Sequence, residues 1–337
     1  MFKAQTMSRL LIAASKDQLD TIVRELYRYN LFHIEDFVES EEEGYEGCKI
    51  GMPLPGAGSV SSDLIRIRSI ENSFGVSANE VETTVRSGTA ELTRKIESEL
   101  PVIEKEAMAL IDEKSALENT VREYGAKTAD LAPFAGYPGD LADLRGLDFF
   151  VVLAGYVPAH VGLTVPNESF YTTVGKTQFL IAVVPLENAE EAERSLLDAG
   201  FQAVAIPSET GTAQARIDWY AQEITRLNNE IEGVKGRILA QKEKHAAFLV
   251  ACDELLTAEV ERKEAPLRFA TTEETFVAEG WVPVDTKDAL ISDIPSATGG
   301  KVYITELEYD PVEDVVPVEY HNPDFSKPTE LLIDIYS

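Results

Sequence analysis

The sequence predicts an α+β fold: two ferredoxin-like α/β lobes joined by a long, bent antiparallel coiled-coil hairpin. Three observations predict it. Residues 92–124 and 213–255 place apolar side chains at alternating gaps of four and three, the signature of a helix seam. A compact run of strand and helix patterns separates these two arms, so they would fold back on each other. The chain also begins and ends with strand-helix-strand patterns, and two such units brought together make one sheet covered by helices. The 337 residues suit about two domains of ~150 each. A hydrophobic content of 44% is enough to build their cores.

Each element has its own warrant. Residues 8–14 are short and apolar, a strand. Residues 16–29 set Leu19, Ile22, Val23, Leu26 and Tyr27 on one helical face, with Asp17 and Gln18 where a helix begins. Residues 31–37 read as a second strand, 39–46 as a solvated acidic run, and 51–58, rich in Pro and Gly, as a loop. The first arm carries Leu92, Ile96, Ile103, Ala107, Leu110, Leu117, Val121 and Tyr124, with Leu100 close to the seam and Lys114 interrupting it. Pro101 lies inside that arm, removes a backbone donor, and predicts a kink. Between the arms come a strand at 147–157, a hairpin of 170–174 and 178–184 around Gly175, a helix at 188–199 ending at Gly200, and a strand at 201–206. The second arm repeats through Ala213, Ile217, Tyr220, Ile224, Leu227, Ile231, Val234, Ile238, Gln241, His245, Phe248, Cys252 and Leu255. At ~1.5 Å per residue an arm of about 40 to 50 residues makes a rod of roughly 60 to 75 Å. Residues 274–281 are then a strand, 286–291 a short helix and 301–307 a strand.

The expected domains are a discontinuous proximal α/β lobe at 1–77 and 266–320, the coiled-coil hairpin at 78–130 and 210–265, a distal α/β lobe at 131–209, and a linker at 321–337. Two strands end alike, in Gly155-Tyr156-Val157-Pro158 and Gly280-Trp281-Val282-Pro283. A proline that stops a strand and an aromatic that covers a sheet edge account for the physics of each. The repetition suggests that the two lobes are built alike.

Charge narrows the partners. With 30 basic and 59 acidic side chains the net charge is −29, which repels nucleic-acid phosphates and anionic headgroups. The acidity fits a salt-adapted or highly soluble chain as well as one that meets a basic partner. Cys48 and Cys252 are far apart, as in a reduced cytosolic protein. The longest apolar runs, near 149–157 and 179–184, are about half the ~20 residues a membrane helix needs, and residues 10–14 are too short for a signal-peptide core.

No chemical motif stands out. Gly175-Lys176-Thr177 resembles the end of a phosphate loop, but Phe170 stands where the leading glycine belongs and a strand follows instead of a helix. Gly51, Gly56 and Gly58 lack the spacing of a dinucleotide fingerprint. His33, His160, His245 and His321 have no ligand-spaced partner, and Gln241 with His245 reads as a register-setting polar pair on the seam. Cys252 reads as a small buried side chain. No Gly-x-Ser-x-Gly elbow is present, and with so many acids no carboxylate pair is informative. No catalytic, cofactor or metal residue is therefore assigned. An investment of roughly a third of the chain in a rod points to a spacer, tether or stator. The rival class is a metabolite-binding regulatory protein or enzyme with ferredoxin-like lobes and a coiled-coil dimerisation arm.

Three segments resemble a known family. The start, with Met7-Ser8-Arg9-Leu10-Leu11-Ile12 and Leu31-Phe32-His33-Ile34-Glu35-Asp36, is similar to subunit I (subunit a) of archaeal and bacterial A-type and V-type ATPases. So is Gly280-Trp281-Val282-Pro283, and so is Asn322-Pro323-Asp324-Phe325-Ser326-Lys327-Pro328-Thr329-Glu330-Leu331-Leu332-Ile333-Asp334-Ile335-Tyr336, which resembles the segment before that family's first membrane helix. The resemblance implies the cytoplasmic half of a non-catalytic stator subunit, at the cytoplasmic face of the membrane. It implies peripheral-stalk subunits of E and G/H type as partners at both lobes, the C-type protein that caps the central stalk as a further partner, and the rotor ring as a partner of a membrane domain expected after Ser337. It implies no cofactor and no nucleic acid.

Overall fold

The computed structural model describes residues 5–29, 32–39, 45, 47–81, 88–175, 177–309 and 316–317. It is a mixed helix and sheet fold with two antiparallel sheets. The chain divides into two compact units, one made of Met1–Asn72, Val76–Leu100 and Ala246–Ser337, the other of Ser73–Gly75 and Pro101–His245.

The first unit is built on β1 (Met7–Ser15), followed by a single 3-10 turn, helix α1 (Leu19–Tyr29) and the short β2 (His33–Ile34). The same sheet contains β3 (Lys49–Ile50), β8 (Ala270–Thr271), β9 (Thr275–Pro283) and β10 (Val302–Leu307), in the order β10-β1-β9-β8-β3 with β2 also on β9. Period-two alternation explains its helix-facing side: Leu10, Ile12 and Ala14 of β1 and Phe276, Ala278 and Val282 of β9 are buried together with Ile22, Val23 and Leu26 of α1. Helix α6 (Val284–Ala297) adds Leu290 and Ile294 to the same core. Arg28 and Tyr29 of α1 both reach Asp293 of α6, at 2.9 and 2.5 Å.

Helix α2 (Ala57–Phe74) also belongs here. Leu64, Ile67 and Ile70 are buried at spacings of three, and Arg68 donates to Asp253 at 2.7 Å and to Thr257 at 3.0 Å. The expected loop at 51–58 therefore ends at Gly56, and α2 begins at Ala57. The pattern Leu64-Ile65-Arg66-Ile67-Arg68 alternates like a strand, which hides the helix; Ile65, on the odd side, is exposed.

The long arms are α3 (Thr89–Leu131) and α5 (Ala213–Glu264). Helix α3 runs through Pro101 without a break in its assignment. Leu92, Ile96, Leu100, Ile103, Ala107 and Leu110 are buried, whereas Leu117, Val121 and Tyr124 are half-buried. On α5 the seam holds at Tyr220, Leu227, Ile231, Val234, His245 and Cys252. In the first unit the buried face widens to Leu249, Val250 and Leu256, while the expected Phe248 and Leu255 are only half-buried. The cause is a second neighbour: Asp253 and Thr257 meet α2 as well as the seam meeting α3.

The second unit holds β4 (Phe150–Val157), β5 (Glu168–Val174), β6 (Thr177–Pro185) and β7 (Gln202–Ala203) in the order β5-β6-β4-β7. Helix α4 (Ala189–Asp198) follows β6 through another three-residue 3-10 turn. One face of this sheet packs Leu180, Ala182 and Val184 against Ala192 and Leu196 of α4. The other packs Phe179, Ile181 and Ala154 against Leu131, Phe134 and Tyr220. Asp140 accepts from the backbone N–H groups of Ala142 at 2.8 Å and Gly211 at 2.7 Å, and these donors hold its carboxyl below the usual range.

Several expected elements change length, and the strand at 147–157 begins only at Phe150. The strands at 31–37 and 201–206 shrink to His33–Ile34 and Gln202–Ala203, since each is a two-residue rung on one neighbour. The helix at 286–291 extends to Val284–Ala297, because Pro295 lies in its last turn and leaves the rest intact. Lys176, most of the acidic run at 39–46, His321 and the tail at 322–336 lie outside the described residues.

The matching strand ends are built alike in space. At Gly280 a Cβ would run into the His33 carbonyl oxygen and would lie 2.5 Å from the Phe32 ring; at Gly155 it would run into the Gln202 oxygen and lie 2.6 Å from the Phe201 ring. In both, a helix ends, a Phe lies over the glycine, and the next two residues form the short strand. The rung beyond is equivalent too: Glu35 N–H donates to Glu279 O at 2.9 Å and Val204 N–H to Ala154 O at 2.8 Å.

Candidate functional site

The side of the first sheet that faces away from α1 and α6 carries charge. Alternation puts Arg9 and Leu11 of β1 beside Trp281 and Glu279 of β9 on this side. The Arg9 guanidinium reaches Glu35 and Glu279, both at 3.1 Å, and sits 5.8 Å from the centre of the Trp281 ring. Arg268, just before β8, donates to the Asp36 carboxylate and to the Ile34 carbonyl. Arg9, Glu35, Asp36, Arg268 and Glu279, with Phe37, Val38, Tyr45, Ala270 and Val277, line an open recess of about 340 Å³.

Burial pushes the Glu279 carboxyl above its ordinary range, and the neighbouring Arg9 only partly offsets this. Chemically the recess is a set of guanidinium-carboxylate pairs with an aromatic wall. Among the described residues that line it there is no serine, cysteine or histidine. Sequence reasoning did not single out this recess. The available signal was Arg9 and Glu279, two charges in the middle of otherwise apolar strands.

The residues weighed from the sequence are scattered. His33 is an exposed rung on Trp281, His160 lies 4.2 Å from the Tyr171 ring by centroids, and His245 is buried on α5. Gly175 has φ +63° in the β5–β6 turn, so the glycine serves a hairpin. Cys48 is half-exposed, and Cys252 is buried. Burial, with Glu99 and Glu71 nearby, pushes the Cys252 thiol up to about 12, so it stays protonated and inert. Among the described residues no group of His, Cys, Asp or Glu could hold a metal ion.

No protein-family model matches the chain. Curated relatives do. A-type ATP synthase subunit I of Halobacterium salinarum is 29% identical over 314 residues, 91% of this chain and 42% of that protein. The chain is homologous to A-type ATP synthase subunit I. The Methanothermobacter thermautotrophicus subunit I is 26% identical over 100% of this chain and 56% of its own length. That of Pyrococcus horikoshii is 30% identical over 48% of this chain and 25% of its own. The chain spans about half the length of most of the subunit I relatives it matches. Among solved structures, the cytoplasmic N-terminal domain of subunit I, homolog of subunit a, of V-ATPase aligns over 89% of this chain and 100% of that one, with 15% identity and a TM-score of 0.46. Among the described residues no helix is long and apolar enough to cross a membrane.

Proposed function

We propose that this chain is the stator part of a rotary A-type ATP synthase, the region of subunit I that anchors peripheral stalks and couples the catalytic sector to the ion-translocating membrane sector. The observation that carries the reading is the 29% identity to a named subunit I along 91% of the chain. The same reading places two ferredoxin-like lobes on an antiparallel coiled-coil hairpin. In its support, Tyr124 of α3 touches Trp219 and Tyr220 of α5, and Glu113 pairs with Arg237, so positions later on one helix meet positions earlier on the other. A static part that resists torque benefits from interlocked apolar side chains along a lever, because such packing deforms little.

The partners follow from this reading: stalk subunits of E and G/H type at both lobes, with the C-type cap of the central stalk and the rotor ring as further neighbours in the assembly. The reading also places the chain at the cytoplasmic face of the membrane and gives it no catalytic residue of its own. The rival metabolite-binding reading draws less support, since the guanidiniums of the recess are already met by Glu35, Glu279 and Asp36. Mixing the protein with the purified E/H-type stalk heterodimer should give a complex by light scattering after gel filtration. It should weaken as salt is raised, in keeping with the charge of −29. Absence of any complex at low salt would overturn the proposal.

A further inference from the structure

The two sheets supply an internal control for one surface. Both are ordered alike, β10-β1-β9 with β2 in the first and β5-β6-β4-β7 in the second. Leu10 faces Gly280 and Leu180 faces Gly155, which fixes the correspondence residue by residue. Six positions along from these, Lys16 matches Leu186 and Glu274 matches Phe149. The backbone agrees: Lys16 N–H donates to Glu274 O at 2.9 Å, and Leu186 N–H donates to Phe149 O at 2.9 Å.

The side chains at this shared place are opposite in character. The first sheet carries Glu274 and Lys16, ordinary charged surface. The second carries Phe149, 78% exposed, and Leu186, 59% exposed. The strand ladder itself ends at the Phe150–Pro185 pair, and the backbone hydrogen bond from Leu186 to Phe149 just beyond it brings the two exposed residues together as one apolar ledge. Leu147, two residues earlier in the chain, is also exposed. Single exposed apolar residues are ordinary; a facing Phe and Leu, in a place where the matching lobe is charged, are not explained by folding.

The rim is acidic. Asp148 and Glu187 flank the ledge in sequence, Glu190 and Glu191 occupy the first turn of α4, and from residue 146 to 193 the only Lys or Arg is Lys176. A partner that buries the ledge must therefore bring apolar anchors flanked by positive charge.

We propose that Phe149 and Leu186 form a docking ledge for a basic, amphipathic segment of another protein. Resting on the stator reading, the occupant is the end of a peripheral-stalk helix. Apolar anchors of this kind carry most of an interface's affinity, while the acidic rim sets orientation and salt dependence.

The test is titration calorimetry of the full chain with the purified E/H-type stalk heterodimer. It compares the native protein, the double variant Phe149→Ser with Leu186→Ser, and the matching double variant Lys16→Ser with Glu274→Ser. The ledge variant should bind about tenfold more weakly, or take up one heterodimer fewer, and the matching variant should stay within about twofold. Because the ledge side chains are exposed, unchanged melting will show that the loss is one of binding. Equal binding by the native protein and the ledge variant overturns the ledge and leaves the stator reading standing. No binding by the native protein overturns the stator reading and this occupant with it.

Discussion

The two sheets share a plan but spend their second faces differently. At one position of the central strand the first sheet has Arg9 and the second has Phe179; on the neighbouring strand Glu279 matches Ala154 and Trp281 matches Tyr156. The result is a charged recess in one unit and a second buried core in the other, where Phe179 packs edge-on against Phe134 and Tyr156. Backbone topology is thus held by a few positions, the strand glycines and the Phe that covers each. The residues one position away, on the opposite face, are free to define what that face meets.

The sharpest way to break this comparison is at the matched pair of central positions. Phe179→Ala should cost about 3–5 kcal/mol, since it empties a site enclosed on all sides. Arg9→Ala should cost less, about 1–3 kcal/mol, from leaving Glu35 and Glu279 without their shared cation. Chemical denaturation followed by circular dichroism measures both. Equal losses would mean that the charged face is as essential to folding as the apolar one.

Next come the glycines, where the sheets should respond alike. Gly155→Ala and Gly280→Ala each force a methyl group into a carbonyl oxygen and a Phe ring, with an expected cost of about 1–3 kcal/mol. A clear difference between the two melting shifts would show that the shared geometry is coincidental.

The smallest effect is a difference in pH response. Glu279 has its carboxyl raised by burial, so its protonated form favours the fold: that contribution is fully present below the unfolded pKa and is lost as pH rises through the folded value. Ala154 at the matching place has nothing to titrate. Glu279→Gln should therefore gain on the native protein as pH rises above the carboxylate range, by a small margin in thermal melts. A constant offset at all pH values would remove Glu279 from the account.

Much of this plan was legible because periodicity is a local signal. The β1, β6, β9, α4 and α5 patterns are written in apolar spacing, and the repeated Gly-aromatic-Val-Pro ending pointed to a shared build before any register was known. Helix α2 escaped because its alternating Ile and Arg residues mimic a strand. The recess escaped for a different reason. Arg9, Glu35 and the stretch holding Arg268 and Glu279 are far apart in sequence, and only pairing of both β1 and β2 with β9 makes neighbours of them. The ledge, likewise, becomes visible only when the two sheets are aligned rung by rung.

The strand order also has a consequence in time. The second sheet is made entirely from the stretch between Phe150 and Ala203, so its most distant rung, Gly155 with Ala203, spans 48 positions. The first sheet joins β1 to β9 and β10, and its Ser8–Glu306 hydrogen bond spans 298 positions. During synthesis the second sheet can form while the ribosome is still making α5. The first leaves β1 with bare edges until β9 and β10 emerge, which is a long interval for an apolar strand to wait alone. A chaperone that shields residues 7–15 in that interval would matter more to the yield of this protein than any stabilising change in the second sheet.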